Sequence, residues 1–252
     1  MHFQPPPPCV PPPNTLTEEE EDALPPMSML PITHETIERA TGIRPMCIEH
    51  YRTAFTHPNS EFTPHYERLE YLGDSALGYV TARYLFEKFP EKDEGFLTII
   101  RTRLTRSSML CEFAKELGLD MFIVMSGKSL YRGHHKSKKV LEDVFEALIG
   151  AILLDHSMLK ARQFIIGVFD RFVDWDDLMV DRNWKDQLMR YQHQVKRSLP
   201  QYVAVRDAET NVFTVTIELD GHRAVGRDRV KRQAEQKAAK QMLISMRVPV
   251  AD

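Results

Sequence analysis

The chain is poor in the features that would place it outside the interior of a cell. It has three cysteines, Cys9, Cys47 and Cys111, which are far apart and lack metal-ligand spacing. They read as free thiols in a reducing compartment rather than as a disulfide framework. No apolar run approaches the roughly 18 to 20 residues of a membrane helix; even Ala147–Leu154 is short. The N-terminus has no basic region followed by an apolar core, so it does not read as a secretory signal. The expectation is an intracellular protein, cytoplasmic or nuclear and not secreted, with no membrane partner. A basic excess is also missing, because net charge is −3 over 252 residues.

That total hides a gradient. Residues 1–34 carry Glu18–Glu21 and Asp22 without any Lys or Arg, a net −5, whereas residues 181–252 carry +5 and the middle carries −3. Asymmetry of this kind says more about partners than the sum does. Residues 1–32 combine the proline run Pro5–Pro13 with the acidic run and cannot bury enough apolar surface to order themselves. They read as a disordered tail, the alternative being a ligand for a partner domain that recognises Pro-rich segments.

Between about 33 and 178 the apolar spacing is helical, and the alternation of a strand is nearly absent. His34–Thr41, Tyr66–Phe89, Glu94–Leu104, Ser107–Leu117, Lys139–Asp155 and Met158–Phe172 read as helices, with a basic loop at Tyr131–Lys139 and a linker near Asp176–Asn183. From 182 to 250 the character changes. Trp184–Arg197 reads as a helix, Gln201–Arg206, Asn211–Leu219 and His222–Asp228 as strands, and Lys231–Met246 as a closing helix.

Two of the helices carry acids in an unusual setting. Glu67, Glu70 and Asp74 stand at i, i+3 and i+7 and share a face among Leu69, Leu72, Ala76 and Leu77. Asp143 and Glu146 are one turn apart on a helix marked as buried by Leu148, Ile149 and Ile152. Half-buried carboxylates require a compensating cation. Acids from two converging helices make an oxygen-lined site for Mg²⁺, which suits phosphodiester hydrolysis. Surface acids paired with Arg68, Arg83 and Lys88 are the bland alternative. In the closing helix Arg229, Lys231 and Arg232 gather at the start, a setting for phosphates or simply a solvated basic face.

The segment ERLEYLGDSAL at Glu67–Leu77 resembles the ribonuclease III signature ERLEFLGDxxL. Thr56–His57, the run DEGFLT at Asp93–Thr98 and DVFEALIGA at Asp143–Ala151 resemble further family elements in the family's order. The segment VKRQAEQKAA at Val230–Ala239 is similar to the double-stranded RNA-binding pattern KKxAxxxAA, with WKDQLMRY and LPQY resembling that domain's opening helix and first strand entry.

This resemblance implies an all-α ribonuclease III nuclease domain at 33–178, followed by an α+β (α-β-β-β-α) double-stranded RNA-binding domain at 182–250. It implies an endoribonuclease that cuts double-stranded RNA with Mg²⁺, Mn²⁺ being a substitute, to leave 5′-phosphate and 3′-hydroxyl ends with two-nucleotide 3′ overhangs. Glu70, Asp74, Asp143 and Glu146 match metal ligands, and Asp74 and Glu146 also match catalytic acids. Glu67 and Glu94 match acids beside the RNA. Tyr71 matches the aromatic that enters a pocket of the partner in a homodimer, where each cluster cuts one strand. Lys231 and Arg232 match the phosphate-binding pair, Arg190 and Arg229 join them as RNA contacts, and Tyr191, Ala234 and Ala238 match core positions.

The chain departs from the pattern at His57–Ser60, at Tyr71 where Phe is usual, at Met189–Arg190 where Gln-Glu is common, and near Glu209, where a His usually enters the minor groove. An acid there weakens binding to phosphates. The rival readings are a non-catalytic RNA-binding protein with a nuclease-like fold and a helical metal enzyme acting on a diphosphate.

Overall fold

The computed structural model describes residues 17, 21, 24–180, 182–195 and 198–250. The chain divides into two compact units, 1–178 and 179–252.

The first unit is helical. Its elements are α1 (His34–Thr41), α2 (Ile48–Phe55), α3 (Glu67–Lys88), α4 (Glu94–Leu104), α5 (Ser107–Glu116), α6 (Gly127–Tyr131), α7 (Lys138–Asp155), α8 (Met158–Phe172) and α9 (Trp175–Met179). Helix α7 is the axis of the core. Every side chain from Asp143 to Ile152 is buried, because α7 is apolar nearly all round and is enclosed by its neighbours. Phe145 sits in an aromatic cluster with Phe113 and Phe164, at 5.7 and 6.2 Å between ring centres.

Helices α3 and α7 cross at backbone contact, and two glycines permit it. A Cβ on Gly73 would lie 1.7 Å from the carbonyl oxygen of Glu146, and one on Gly150 would lie 2.3 Å from that of Leu69. Helix α2, which the spacing does not reveal, is capped from the far end of α7. Asp155 accepts hydrogen bonds from the amides of Met46 (2.8 Å) and Cys47 (2.6 Å) and from the Tyr51 hydroxyl (3.1 Å). A cap supplied from 108 residues away leaves no local signal.

Three expectations need correction here. The supposed linker at Asp176–Asn183 overlaps α9, whose Leu178 is buried in the helical core and whose Trp175 packs on Tyr84 and Phe89. The supposed basic loop at Tyr131–Lys139 is a 3₁₀ turn at His134–Lys136 between α6 and α7. Of the supposed disordered tail at 1–32, the proline run lies outside the described residues, while Glu21 and residues 24–32 are bonded to the helical unit. Met27 and Met125 exchange backbone hydrogen bonds of 3.1 and 3.3 Å, and Leu30 donates to Met121 at 2.8 Å. Glu21 is buried against Arg132, whose Nε and Nη2 both lie 2.8 Å from its Oε2. The apolar residues Met27, Met29, Leu30 and Ile32 that follow the acids supply the burial that the acidic run lacks.

The second unit is α10 (Trp184–Gln194), β1 (Tyr202–Arg206), β2 (Phe213–Leu219), β3 (His222–Asp228) and α11 (Lys231–Ser245). The strands form one antiparallel sheet in the order β1-β2-β3. Asp220 and Gly221, both at positive φ, make the tight turn between β2 and β3. Both helices contribute to the core beneath the sheet. Leu188 meets Val215, Ile217 and Ala224, with Ala234, Ala238, Ala239, Met242 and Leu243 of α11. Gly226 lets α11 approach β3, since a Cβ there would be 2.1 Å from the Ala234 carbonyl oxygen. Tyr191, matched above to the core, is half-buried; the fully buried side chain beside it is Gln192. Among the described residues no helix is long and apolar enough to cross a membrane.

Candidate metal centre and nucleic-acid surface

The crossing of α3 over α7 decides which acids meet. Glu70, one turn before Gly73, faces Asp143 and Glu146, and the ligand oxygens of these three carboxylates lie within 4.8 Å of one another. Asp143 and Glu146 are buried and Glu70 is half-buried. Asp74, one turn beyond Glu70, is exposed and stands outside this group of three, although its charge acts on Glu146.

Electrostatics show what the cluster lacks. Burial, followed by the charge of Asp143, raises the Glu70 carboxyl above the usual range. Burial, followed by Asp74 and Glu142, pushes Glu146 up to about 8. Neighbouring carboxylates out of water resist ionising together. The cation among them is Lys139, bonded to Asp143 Oδ1 and 3.4 Å from Glu70 Oε1. The three basic residues that might have paired these acids are engaged or placed elsewhere. Arg83 is bound to Glu87 at 2.8 Å, Lys88 stacks over Trp175, and Arg68 is exposed.

Tyr66, at the entry to α3, sends its hydroxyl to Asp143 Oδ2 at 3.3 Å. Its ring meets the edge of His57 at 5.6 Å. Burial, then Asp143, raises the phenol, so it remains a donor. Burial lowers His57. Neither Lys139 nor Tyr66 was singled out from the sequence. Lys139 left a trace in its i, i+4 spacing to Asp143, but Tyr66 left none.

Carboxylate oxygens alone, three at mutual reach with Asp74 outside them at an exposed edge, fit a hard divalent cation that retains water. Residues present therefore fit Mg²⁺ or Mn²⁺, with Glu70, Asp143 and Glu146 as the group that could hold it.

The other candidate residues are all on the surface. Glu67 pairs with His65 at 3.3 Å, and Glu94, in the first turn of α4, accepts from Thr98 at 2.9 Å. Neither belongs to the acid group. Tyr71 is 78% exposed and shares a stripe of α3 with the exposed Tyr79 and Phe86. In the second unit Arg229, Lys231 and Arg232 stand exposed at the start of α11, and Arg190 is exposed with Asp186 at 3.0 Å. Asp228 accepts from the Val230 amide and from Lys237 Nζ, at 2.9 and 2.8 Å, which fixes the turn that presents this basic group. In the β1–β2 loop Asp207 accepts from the amides of Glu209 and Thr210, leaving the Glu209 side chain in solvent.

An acid-lined helical unit, followed in the chain by a three-stranded module with a basic helix start, is an arrangement suited to phosphodiester chemistry on a polyanion. Family models agree: residues 49–170 match the Ribonuclease-III-like domain and residues 184–246 the double-stranded RNA binding motif. The chain is 37% identical over 223 residues to putative protein A464R of Paramecium bursaria Chlorella virus 1, covering 86% of this chain and 80% of that protein. It is 36% identical over 202 residues to ribonuclease 3 of Legionella pneumophila, covering 78% of this chain and 90% of that enzyme. Among solved structures it is similar to the nuclease domain of ribonuclease III from Campylobacter jejuni, a structure concerned with a region involved in dimer formation, at 30% identity and a TM-score of 0.53, covering 56% of this chain and 99% of that domain.

The chain belongs to the ribonuclease III family. It is an endoribonuclease of that family, acting on double-stranded RNA.

Proposed function

We propose that the chain hydrolyses phosphodiester bonds of double-stranded RNA with Mg²⁺, for which Mn²⁺ substitutes, leaving 5′-phosphate and 3′-hydroxyl ends with two-nucleotide 3′ overhangs. The observation that carries this reading is the group of Glu70, Asp143 and Glu146, three carboxylates from two helices with oxygens within 4.8 Å. The nuclease domain includes the segment at 24–32 and runs to 178, and the RNA-binding domain spans 182–250.

Glu70, Asp143 and Glu146 would hold the ion, and Asp74 would complete the set from the exposed edge. When bound, the ion would neutralise charge at the scissile phosphate and make a water it holds more acidic than bulk water. Glu146 must lose its proton to serve, so its raised pKa makes loading of the site a proton-releasing event. Asp74 and Glu146 orient the attacking water and take up its proton. Lys139, bonded to Asp143 and beside Glu70, is the cation that the ion would displace, since two cations at that spot repel each other.

One acid group serves one strand, so the working unit is a homodimer. Its support is the exposed aromatic stripe of Tyr71, Tyr79 and Phe86 on α3, an apolar surface of the kind that marks an interaction site. Arg190, Arg229, Lys231 and Arg232 bear on phosphates and sugars of the duplex, whose deep major groove offers little to read. Glu67 and Glu94 lie beside the RNA.

The test is incubation of the full chain with long duplex RNA and MgCl₂. Staggered cleavage is expected, with Glu146→Gln reducing the rate by about 10³-fold, the worth of several kcal/mol of charge stabilisation, while duplex binding persists. A folded wild-type protein that binds duplex and never cuts it would establish the non-catalytic alternative.

A further inference from the structure

Asp143 has two carboxylate oxygens and a different donor on each. Lys139 occupies Oδ1 and the Tyr66 hydroxyl lies on Oδ2. The two donors are unlike in every physical respect. Lys139 is a cation on a long flexible stem with its side chain 70% exposed. Tyr66 is neutral and 4% exposed, its ring held by the edge of His57 and its amide bonded to the Thr56 carbonyl at 3.0 Å. A divalent cation entering among the acids competes with Lys139 for the same oxygens and repels its charge. It has no such conflict with a neutral hydroxyl on the other oxygen.

We propose that Tyr66 is a positioning residue for metal binding, its buried hydroxyl keeping the Asp143 carboxylate aimed at Glu70 and Glu146 after Lys139 has left. This inference rests on the reading of the acid group as the metal site. Partners of this kind, one bond removed from an ion, fix the orientation of its ligands, and losing one costs about 10- to 100-fold in metal affinity. Tyr66 is suited to the task by its place in the fold. It stands at the entry to α3 with no side-chain cap to make there, and instead reaches across to α7. One residue thereby ties the start of the helix bearing Glu70 and Asp74 to the helix bearing Asp143 and Glu146. Lys139 has the complementary part: it neutralises the acids until the ion arrives and lowers affinity for that ion by competing with it.

The division of labour predicts changes of opposite sign in the full chain. Mn²⁺ binding to the free protein is measured by electron paramagnetic resonance, and the MgCl₂ concentration for half-maximal cleavage is measured separately. Tyr66→Phe is expected to weaken both by about tenfold, leaving the rate at saturating magnesium and the KM for duplex RNA unchanged. Lys139→Met is expected to tighten Mn²⁺ binding. A Tyr66→Phe protein with a lowered thermal midpoint in EDTA but wild-type Mn²⁺ affinity overturns the assignment, because the hydroxyl is then only structural. Weaker Mn²⁺ binding in Lys139→Met overturns the competition argument. Absence of Mn²⁺ binding by the wild-type protein overturns the metal-site reading itself and this inference with it.

Discussion

The two units carry their functional atoms in opposite ways. In the helical unit, the key carboxylates are drawn out of water at a crossing so close that Gly73 and Gly150 have no room for a side chain. In the RNA-binding unit, Arg229, Lys231 and Arg232 stand in solvent, and packing supports only the turn that presents them. A buried like-charge cluster is expensive, and its geometry is set by everything packed behind it. An exposed basic group acts through long-range charge that salt screens. Changes at the crossing itself should therefore be nearly all-or-none, and changes in the exposed basic group graded.

The largest effect should come from Gly73→Ala. A methyl group aimed at the Glu146 carbonyl cannot be accommodated by a side-chain shift, so α3 and α7 must separate. The expected cost is about 3 kcal/mol or more, at the upper end for overpacking, with loss of cleavage. Urea unfolding and a cleavage assay check it. Wild-type stability in this variant would mean that the helices do not cross at backbone contact.

A smaller, pH-dependent effect follows from Glu146. In the metal-free protein its carboxyl keeps a proton up to about 8, whereas an unfolded chain loses it in the ordinary glutamate range. Between these limits the native state binds more protons than the unfolded state. Glu146 therefore makes the protein less stable as pH rises through that window, and its effect levels off above it. Magnesium favours the ionised form and should remove the decline. Thermal midpoints from pH 5 to 9 in EDTA and in MgCl₂ test this, with Glu146→Gln flattening the EDTA curve. A decline that is the same in wild type and Glu146→Gln would assign it to another group.

The smallest effect should be at Glu209 in the RNA-binding unit. Its side chain points to solvent from a loop fixed by Asp207, so a substitution alters charge without altering fold. Glu209→Lys in a cleavage-dead full chain should raise duplex affinity by about threefold at moderate salt, the scale of one exposed ionic contact. The gain should shrink as salt rises. Titration of a duplex of about 20 base pairs at two ionic strengths measures it. An unchanged affinity at low salt would place the β1–β2 loop away from the RNA.

Much of this contrast was legible in the chain. Apolar periodicity gave α1, α4 and α8 to the residue, because their cores and ends are written locally. The signature at Glu67–Leu77 and the run at Asp143–Ala151 marked the acids. Elements that owe their stability to distant partners were not legible. Helix α2 is capped by Asp155, and α9 looked like a linker because its burial depends on Trp175 meeting Tyr84 and Phe89. The leader looked wholly unstructured because nothing local shows that Glu21 will find Arg132.

At the site itself the sequence determined the chemistry available: oxygen ligands on two helices, arranged as the family arranges them, and a basic start to the last helix. Local spacing suffices for this, since residues one turn apart on a helix share a face whatever surrounds them. The tertiary structure decided which acids form the inner group, with Asp74 at its rim. It also placed Lys139 and Tyr66 on opposite oxygens of Asp143. Those outcomes depend on where two helices cross and on what lies within a few ångströms of the crossing, and no pattern confined to one helix records that distance.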